Sequence, residues 1–185
     1  MIFMQKQILL LGVFGHPKSN TQTLAHWVLE GLDYTTINLA DRQLNFIQDQ
    51  RWAPLWLPPV DDYQKILQAF LAAPTVVLAS PIYWYGLAAR LKAFIERWSE
   101  TLALDPTFRQ RIACKRLILL MVGGDDPRVK AQPIVQQVAE ICAFLGMTLQ
   151  ATVIGQANRP GSLSNDPVAV RQAASLNQDL KAVGQ

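Results

Sequence analysis

The sequence predicts an α/β protein built on a doubly wound, five-stranded parallel sheet in the order 2-1-3-4-5, with helices on both faces. Two observations support this prediction. Short apolar runs alternate along the chain with segments of helical periodicity, as they do in successive βαβ units. The runs are almost continuously apolar, which is typical of strands covered on both faces of a parallel sheet. The sequence contains no linker and no repeat, so we expect residues 1–185 to form a single domain.

Apolar runs bounded by turn residues predict the five strands: Gln7–Phe14, Tyr34–Leu39, Thr75–Ala79, Leu117–Val122 and Leu149–Gly155. Apolar positions that repeat at helical spacing predict five helices, over 24–31, 63–70, 91–102, 134–145 and 170–183. Asp61 and Asp62 are expected to begin the second helix, because acids are favoured at a helix N-terminus. Gly146 is expected to end the fourth, because glycine is favoured just beyond a helix C-terminus.

Composition and charge exclude several classes of function. The net charge is +3 and the isoelectric point about 9.0, but the basic residues are scattered, which argues against nucleic acid or an acidic membrane surface as partner. No apolar stretch is long enough to span a bilayer, and the apolar start lacks a signal-peptide cleavage site, so we expect a cytoplasmic protein without membrane insertion. Cys114 and Cys142 lie far apart, and we expect buried free thiols and no metal site.

A polar segment follows the first predicted strand and leads into the first helix. Its candidate ligand-binding residues are His16, Lys18, Ser19, Asn20 and Thr21. A helix N-terminus offers unpaired N–H groups and a partial positive charge, to which these side chains add hydroxyl, amide and ammonium donors. The segment therefore predicts a phosphate site, although Ser19 to Thr21 could equally serve only as helix caps. The glycine-rich motifs of dinucleotide-binding folds and of P-loop NTPases are both absent.

Aromatic residues cluster after the third predicted strand, in the segment Ser80-Pro81-Ile82-Tyr83-Trp84-Tyr85-Gly86. Adjacent aromatics at a strand end suit a flat ligand, on which one ring can stack, and Gly86 permits a tight turn or a close approach of the backbone. The alternative is that they anchor an interface or the core. The turn Gly123-Gly124-Asp125 follows the fourth strand and could border the same ligand, or could be a solvated turn with Asp126 as a helix cap.

One phosphate loop and two loops for a planar ring, all at one edge of the sheet, describe FMN. The chain resembles the NADPH-dependent FMN reductase superfamily, whose members have a flavodoxin-like fold. Within that superfamily it resembles in particular the multimeric-flavodoxin and iron–sulfur-flavoprotein branch. The segments that carry the resemblance are Gly15–Thr21, Ser80–Gly86 with Leu91-Lys92, and Gly155–Gly161. They span nearly the whole chain in the order expected of the family.

The resemblance implies roles for the candidate residues. The phosphate would be held by Lys18, Ser19, Asn20 and Thr21; the isoalloxazine ring by Pro81, Ile82, Tyr83, Trp84 and Gly86, with Gly123, Gly124 and Asp125 near its other edge. Tyr83 and Trp84 would flank the ring, and no side chain is expected to be catalytic because the flavin carries the chemistry. His16 stands where the family often has serine, and a cationic imidazole could replace the lost hydroxyl donor.

The segment Ala40–Val60 departs further from the family. Iron–sulfur members resemble this chain but carry a cysteine cluster there, whereas this segment contains no cysteine, which excludes such a cluster. Trp52, Leu55, Trp56 and Leu57 crowd a stretch without periodicity, which predicts the interface of a homo-oligomer, a dimer or tetramer. The alternative is a lid that folds over its own sheet.

The resemblance implies an FMN-dependent oxidoreductase that uses NAD(P)H as co-substrate and reduces a small-molecule acceptor such as a quinone, a flavin, or an azo or nitro compound. The main alternative is an electron carrier of the flavodoxin type, but such carriers resemble acidic proteins, and the isoelectric point argues against that class. A phospho-receiver would need an aspartate at the end of the third strand, where this chain has Ser80-Pro81.

Overall fold

Five parallel strands form the centre of the structure, a computed structural model that describes residues 8–50, 53–55 and 57–183. Their order in the sheet is β2-β1-β3-β5-β6, with bounds Ile8–Gly12 for β1, Tyr34–Asn38 for β2, Thr75–Tyr83 for β3, Arg116–Gly123 for β5 and Thr148–Gln156 for β6. A sixth, two-residue strand, β4 (Gly86–Leu87), pairs antiparallel with the end of β3. The predicted fold class is confirmed, and the predicted strand order holds for the five parallel strands.

Helices cover both faces of the sheet. Their bounds are α1 Asn20–Leu29, α2 Tyr63–Ala72, α3 Ala89–Glu96, α4 Trp98–Leu104, α5 Phe108–Ile112, α6 Pro127–Lys130, α7 Gln132–Leu145 and α8 Pro167–Val183, with short 3₁₀ turns at Leu39–Asp41 and Leu163–Asn165. The apolar faces of α1 and α8 pack on one side of the sheet, and those of α2, α3, α4, α5 and α7 on the other. As predicted, Asp62 precedes α2, and Gly146 ends α7 in the left-handed conformation.

The third predicted helix was wrong in one respect, because the structure divides it into α3 and α4 at Arg97. The carbonyl of Arg97 accepts a hydrogen bond from the Tyr63 hydroxyl, at 2.8 Å, in addition to its bond from the backbone of α4. The third predicted strand was too short, since β3 continues to Tyr83 to pair with β4. The short helices α5 and α6 were not predicted.

The connection from Asp41 to Tyr63 is closed at its base by two aspartates. The backbone N–H of Asp62 donates to the Gln43 carbonyl, and the backbone N–H of Gln43 donates to the Asp62 carboxylate. The Asp61 carboxylate accepts a hydrogen bond from the Asn45 N–H at 2.8 Å. The Asp61 carboxylate also pairs with the Arg97 guanidinium at 2.5 Å, and both side chains are only 1% exposed. Removing one partner of such a buried pair typically costs about 3–5 kcal/mol. The base of this loop is therefore firmly held.

Beyond that base, the loop presents apolar side chains to solvent. We call this surface the loop patch; its described members are Phe46, Leu55, Leu57 and Val60, each at least 65% exposed. The predicted contribution of Trp52 and Trp56 lies outside the described residues. Several exposed apolar side chains on one firmly held loop favour a contact surface.

The two cysteines are free thiols, but the prediction that both are buried was wrong. Cys142 is buried in the core, where desolvation raises its pKa to about 11. Cys114 is exposed because it occupies a turn in the left-handed conformation just before β5. None of the helices in the described part of the chain has the length and apolar character needed to cross a bilayer.

Candidate functional site

Two adjoining cavities open at the carboxyl edge of the sheet. The α1 cavity, about 440 Å³, is lined by Val13, Gly15, His16, Lys18, Ser19, Asn20, Thr21, Pro81, Ile82, Tyr83, Val122, Gly123, Gly124, Ala157, Asn158 and Pro160. The hairpin cavity, about 230 Å³, is lined by Ile82, Trp84, Tyr85, Gly123, Gly124, Asp125, Pro127, Lys130, Ala131 and Asn158. The two cavities adjoin at Ile82, Gly123, Gly124 and Asn158, which line both, and we call them together the groove.

The loop before α1 is stabilised by its own hydrogen bonds. Ser19 is the N-cap of α1 and its hydroxyl accepts a bond from Gln22 N–H at 3.3 Å, which confirms the predicted capping role of Ser19. Nδ1 of His16 accepts a bond from Lys18 N–H at 3.0 Å. An accepting Nδ1 carries no proton, so in this arrangement Nε2, rather than a cationic ring, is the donor that His16 can offer.

Asn20 has a different role from the one that the resemblance implies. Its amide nitrogen donates to the Arg159 carbonyl at 2.8 Å, and its amide oxygen accepts from Leu163 N–H at 3.2 Å. Gly161 N–H also donates to the Lys18 carbonyl at 3.1 Å. The side chain of Asn20 therefore fastens the connection after β6 to the loop before α1.

The remaining groups of the α1 cavity suit a phosphate dianion. The positive end of α1 meets the hydroxyls of Ser19 and Thr21 and the ammonium of Lys18, and none of the described residues that line this cavity is acidic. Thr21 is 2% exposed, so its position is fixed by packing. A Cβ built on Gly15 would meet open space, so the loop leaves room for a ligand.

A two-residue turn joins β3 to β4. Its central residues Trp84 and Tyr85 have φ angles of 48° and 59°, whereas turns of this kind are normally built from Asn-Gly or Gly-Gly. The left-handed conformation costs a non-glycine residue roughly 1–2 kcal/mol. Gly86, predicted to permit a tight turn or a close approach of the backbone, follows the turn as the β4 residue that pairs with Tyr83 of β3; it has no positive φ and lines neither cavity.

The turn exposes a set of aromatic rings. Trp84 is 96% exposed, Tyr83 63% and Tyr85 52%. The Tyr85 hydroxyl donates to Asp125 Oδ2 at 2.7 Å, and Lys130 Nζ lies 2.7 Å from both oxygens of the same carboxylate. Hydrogen bonds from Lys130 and then Tyr85 lower the pKa of Asp125, and the hydrogen bond to Asp125 raises the pKa of Tyr85.

Gly123 and Gly124 line both cavities. A Cβ on Gly124 would lie 1.4 Å from Oδ1 of Asn158, so a side chain at Gly124 would displace Asn158. The Gly123 carbonyl also accepts a bond from Ala157 N–H at 2.9 Å. The connection after β6 therefore packs directly against this turn. Asp126 stands at the N-cap position of α6 but makes no capping bond with its side chain.

All but one of the predicted site residues line the groove, the exception being Gly86. Sequence reasoning missed Tyr85, Lys130 and Asn158. Tyr85 stood inside the aromatic segment and Asn158 inside the segment Gly155–Gly161, so both could have been found by their position after a strand. Lys130 carried no such signal, because it reaches the groove from α6, a helix that was not predicted.

Comparison with known proteins gives consistent results. Residues 8–158 match the NADPH-dependent FMN reductase family. The chain is 38% identical to YwqN of Bacillus subtilis, named as an NAD(P)H-dependent FMN-containing oxidoreductase, over 89% of this chain and 92% of that protein. It is 24% identical to an iron–sulfur flavoprotein of Methanocaldococcus jannaschii, over 94% and 96% of the two chains.

Solved structures share the fold. The structure of the Trp repressor binding protein from Bacillus subtilis superimposes with a TM-score of 0.77 at 33% identity, covering 91% of this chain and 98% of that one. An FMN-dependent NADH-azoreductase of Bacillus anthracis, solved in complex with FMN, gives a TM-score of 0.65 at 16% identity, over 94% and 98% of the chains. At that identity the likeness shows the fold alone.

Proposed function

Because the chain belongs to the NADPH-dependent FMN reductase family, we infer that it oxidises NAD(P)H through bound FMN, and we propose that the groove holds this cofactor. The observation that carries the placement is that an acid-free cavity at the N-terminus of α1 adjoins a cavity bordered by aromatic rings. FMN has this pattern of charge, with a phosphate dianion at one end and a flat conjugated ring at the other. The groove thus matches the cofactor of the family at both ends.

In this proposal, the α1 loop binds the phosphate. Lys18 contributes a full positive charge, Ser19 and Thr21 contribute hydroxyls, and His16 contributes Nε2–H. The backbone N–H groups at the start of α1 point toward the same place. Asn20 holds the loop in position through its bonds to the connection after β6.

The hairpin and the Gly123–Asp125 turn hold the ring. Pro81, Ile82, Tyr83 and Trp84 would hold it from the hairpin, and Gly123, Gly124 and Asp125 from the turn. When bound there, FMN would supply the redox chemistry, which is hydride transfer from a nicotinamide and electron transfer to a second substrate. The protein contributes position and electrostatics, and Trp84 offers an exposed indole face against which a planar group can stack.

We propose a small-molecule acceptor, of the quinone, flavin, azo or nitro class. The support comes from the names of similar proteins, which include FMN-dependent NADH:quinone oxidoreductases, matched over about half of this chain, and NAD(P)H-dependent oxidoreductases. A groove bordered by exposed aromatic rings also suits a flat acceptor better than a protein partner.

The experiment is spectroscopic. The purified protein is examined for flavin absorbance, the cofactor is released by heat and identified by chromatography, and the holoprotein is then mixed anaerobically with NADPH or NADH. We expect FMN as the main species, bleaching by at least one reduced nicotinamide, and recovery of the absorbance on adding a quinone. FAD as the main species would refute the cofactor assignment. Bound FMN that neither nucleotide bleaches would support an electron carrier instead.

We further propose that the protein is a homo-oligomer, at least a dimer, that uses the loop patch as an interface. The support is the exposure of Leu55 and Leu57 on a loop whose base is fixed by the Asp61–Arg97 pair. Sedimentation of wild type and of Leu55→Ser/Leu57→Ser tests it, with Phe144→Ser, 60% exposed at the end of α7, as control. We expect only the double variant to dissociate. A monomeric wild type or an unchanged double variant contradicts the proposal.

Two further expectations belong to this proposal. We propose that residues 1–185 act as one FMN-binding domain, and that the protein works in the cytoplasm. The free thiols of Cys114 and Cys142 support the second point, because thiols persist in reducing compartments. Cell fractionation with an antibody against the protein tests it directly.

A further inference from the structure

The turn between β3 and β4 combines an unfavourable sequence with a defined geometry. Trp84 and Tyr85 both adopt the left-handed conformation, which large side chains avoid and which asparagine and glycine accept. Local preference therefore opposes this turn. Contacts from elsewhere in the chain must hold it in place.

One set of contacts reaches the turn from another element. The Tyr85 hydroxyl donates to Asp125 at 2.7 Å, and Asp125 is held in turn by Lys130, whose Nζ lies 6.0 Å from the centre of the Tyr85 ring. We call the three side chains the latch. They join the turn, the end of β5 and the last residue of α6, and all three line the hairpin cavity.

The electrostatics of the latch favour a holding role over a chemical one. The hydrogen bond from the Tyr85 hydroxyl to Asp125 raises the pKa of Tyr85, so the phenol keeps its proton and is a poor acid. The hydrogen bonds from Lys130 and Tyr85 lower the pKa of Asp125, so the carboxylate stays charged and remains an acceptor. The arrangement thus preserves a charge-assisted hydrogen bond, and neither group is prepared to transfer a proton.

We propose that Tyr85 is a positioning residue, which with Asp125 and Lys130 holds Trp84 and the turn in the conformation that closes over bound cofactor. The inference rests on the proposed function, because it assumes that FMN lies in the groove. Its consequence is kinetic. Opening the latch lets the turn leave its left-handed conformation, so the cofactor is released faster.

Two substitutions of Tyr85 separate the latch from the turn. Tyr85→Phe keeps the ring and the unfavourable backbone preference but removes the hydroxyl, so we expect FMN release to be about three- to tenfold faster. Tyr85→Asn also removes the latch but supplies a residue that accepts the left-handed conformation. We expect release from Tyr85→Asn to stay within about twofold of wild type.

The ion pair can be tested separately. Lys130→Met removes the cation that anchors Asp125, whereas the control Lys92→Met removes an ion pair of equal length, 2.7 Å, with Glu96 on the surface of α3. We expect faster release only for Lys130→Met. Release rates are measured by the rise in flavin fluorescence after the holoprotein is diluted so far that released FMN does not rebind.

A second measurement needs no cofactor. Hydrogen exchange of the amides of residues 83–87 in the flavin-free protein reports opening of the turn itself, and we expect it to be faster in Tyr85→Phe than in wild type or Tyr85→Asn. Equal exchange and equal release in wild type and Tyr85→Phe would overturn the latch. Release from Tyr85→Asn as fast as from Tyr85→Phe would overturn it too, because the aromatic ring would then be the cause. If FMN binds elsewhere, the rate of FMN release is the same in every variant, but the difference in hydrogen exchange persists. That result would contradict the proposed placement of FMN and leave the latch standing.

Discussion

The two loops that border the groove differ in how their backbones are stabilised. The loop before α1 follows local preference, since Ser19 caps the helix and His16 bonds to Lys18, and the long-range bonds of Asn20 only add to these. The turn between β3 and β4 opposes local preference, since Trp84 and Tyr85 are left-handed and a side chain from a distant residue holds them. One loop is held largely by hydrogen bonds between its own residues, whereas the other depends on contacts around it.

This difference matches the chemistry that each loop is proposed to meet. A phosphate dianion needs fixed donors, because donors that must reorganise lose much of their electrostatic advantage. A flat ring needs an apolar face that can close over it, and the exposed indole of Trp84 provides one. Backbone strain of the kind found at Trp84 and Tyr85 recurs at ligand sites of proteins.

The α1 loop is tested most severely by Thr21→Asp. The buried carboxylate would face the phosphate, and two like charges a few ångströms apart repel by about 4 kcal/mol at the dielectric of a protein surface. We expect FMN affinity to fall at least about a hundredfold, as measured by fluorescence titration of the flavin-free protein.

Two controls accompany this prediction. Thr21→Val keeps the size of the side chain without charge and is expected to lose far less affinity, while Thr35→Asp places the same charge on exposed β2. Full flavin occupancy in Thr21→Asp would show that the phosphate lies elsewhere.

The hairpin is tested by Trp84→Gly and Trp84→Ala. Both remove the indole, so we expect about tenfold weaker FMN binding in each, the size of one aromatic stacking contact. Only glycine relieves the left-handed backbone, so we expect Trp84→Gly to unfold at higher urea concentration than Trp84→Ala, by about 1 kcal/mol in the free energy of unfolding. Equal stability of the two variants would show that the turn is not strained.

A smaller effect is expected where the α1 loop meets the connection after β6. Asn20→Ala removes two hydrogen bonds, to Arg159 and Leu163, and we expect a loss of about 1–2 kcal/mol in the free energy of unfolding by urea. Asn165→Ala, an exposed asparagine in the same connection, is the matched control. If the free energy of unfolding falls equally little in both variants, the loop before α1 is held by its own hydrogen bonds alone.

The same contrast explains what could be predicted from the sequence. The parallel strands and the helix caps follow from local patterns: Leu117–Val122 is continuously apolar, and Ser19 precedes an amphipathic helix. The groove followed from the rule that ligands lie at the carboxyl ends of parallel strands. These inferences needed no contact between distant residues.

What could not be predicted depends on such contacts. The break between α3 and α4 arises where Arg97 meets Asp61, 36 residues away, and the bonds of Asn20 reach residues more than 130 positions along the chain. The turn at Trp84 and Tyr85 carries no Asn-Gly signal, so its geometry follows from β3–β4 pairing and from Asp125. Sequence patterns report local preference, and these features override it.

The smallest expected effect concerns pH, and it distinguishes a holding contact from a titrating one. Asp125 is faced by Lys130 and Tyr85, with Asp126 beside Lys130, and hydrogen bonding by Lys130 lowers the pKa of Asp125 from 3.8. A lowered carboxyl pKa means that the contact is present above the ordinary value and is lost only as pH falls below it. Hydrogen bonding to Asp125 raises the pKa of Tyr85 from its ordinary value of 10.0 and the pKa of Lys130 from 10.5. At alkaline pH the contact therefore persists up to those ordinary values and is lost only above them.

The latch is therefore intact between about pH 5 and pH 9, well inside both limits. We expect the ratio of FMN release rates between Tyr85→Phe and wild type to be constant over that range, to within about twofold, when both are measured in the same buffers at constant ionic strength. A ratio that changes steadily between pH 6 and pH 8 would mean that a group with an ordinary pKa near neutrality controls the turn. None of the three latch residues is such a group, so that result would contradict their assignment.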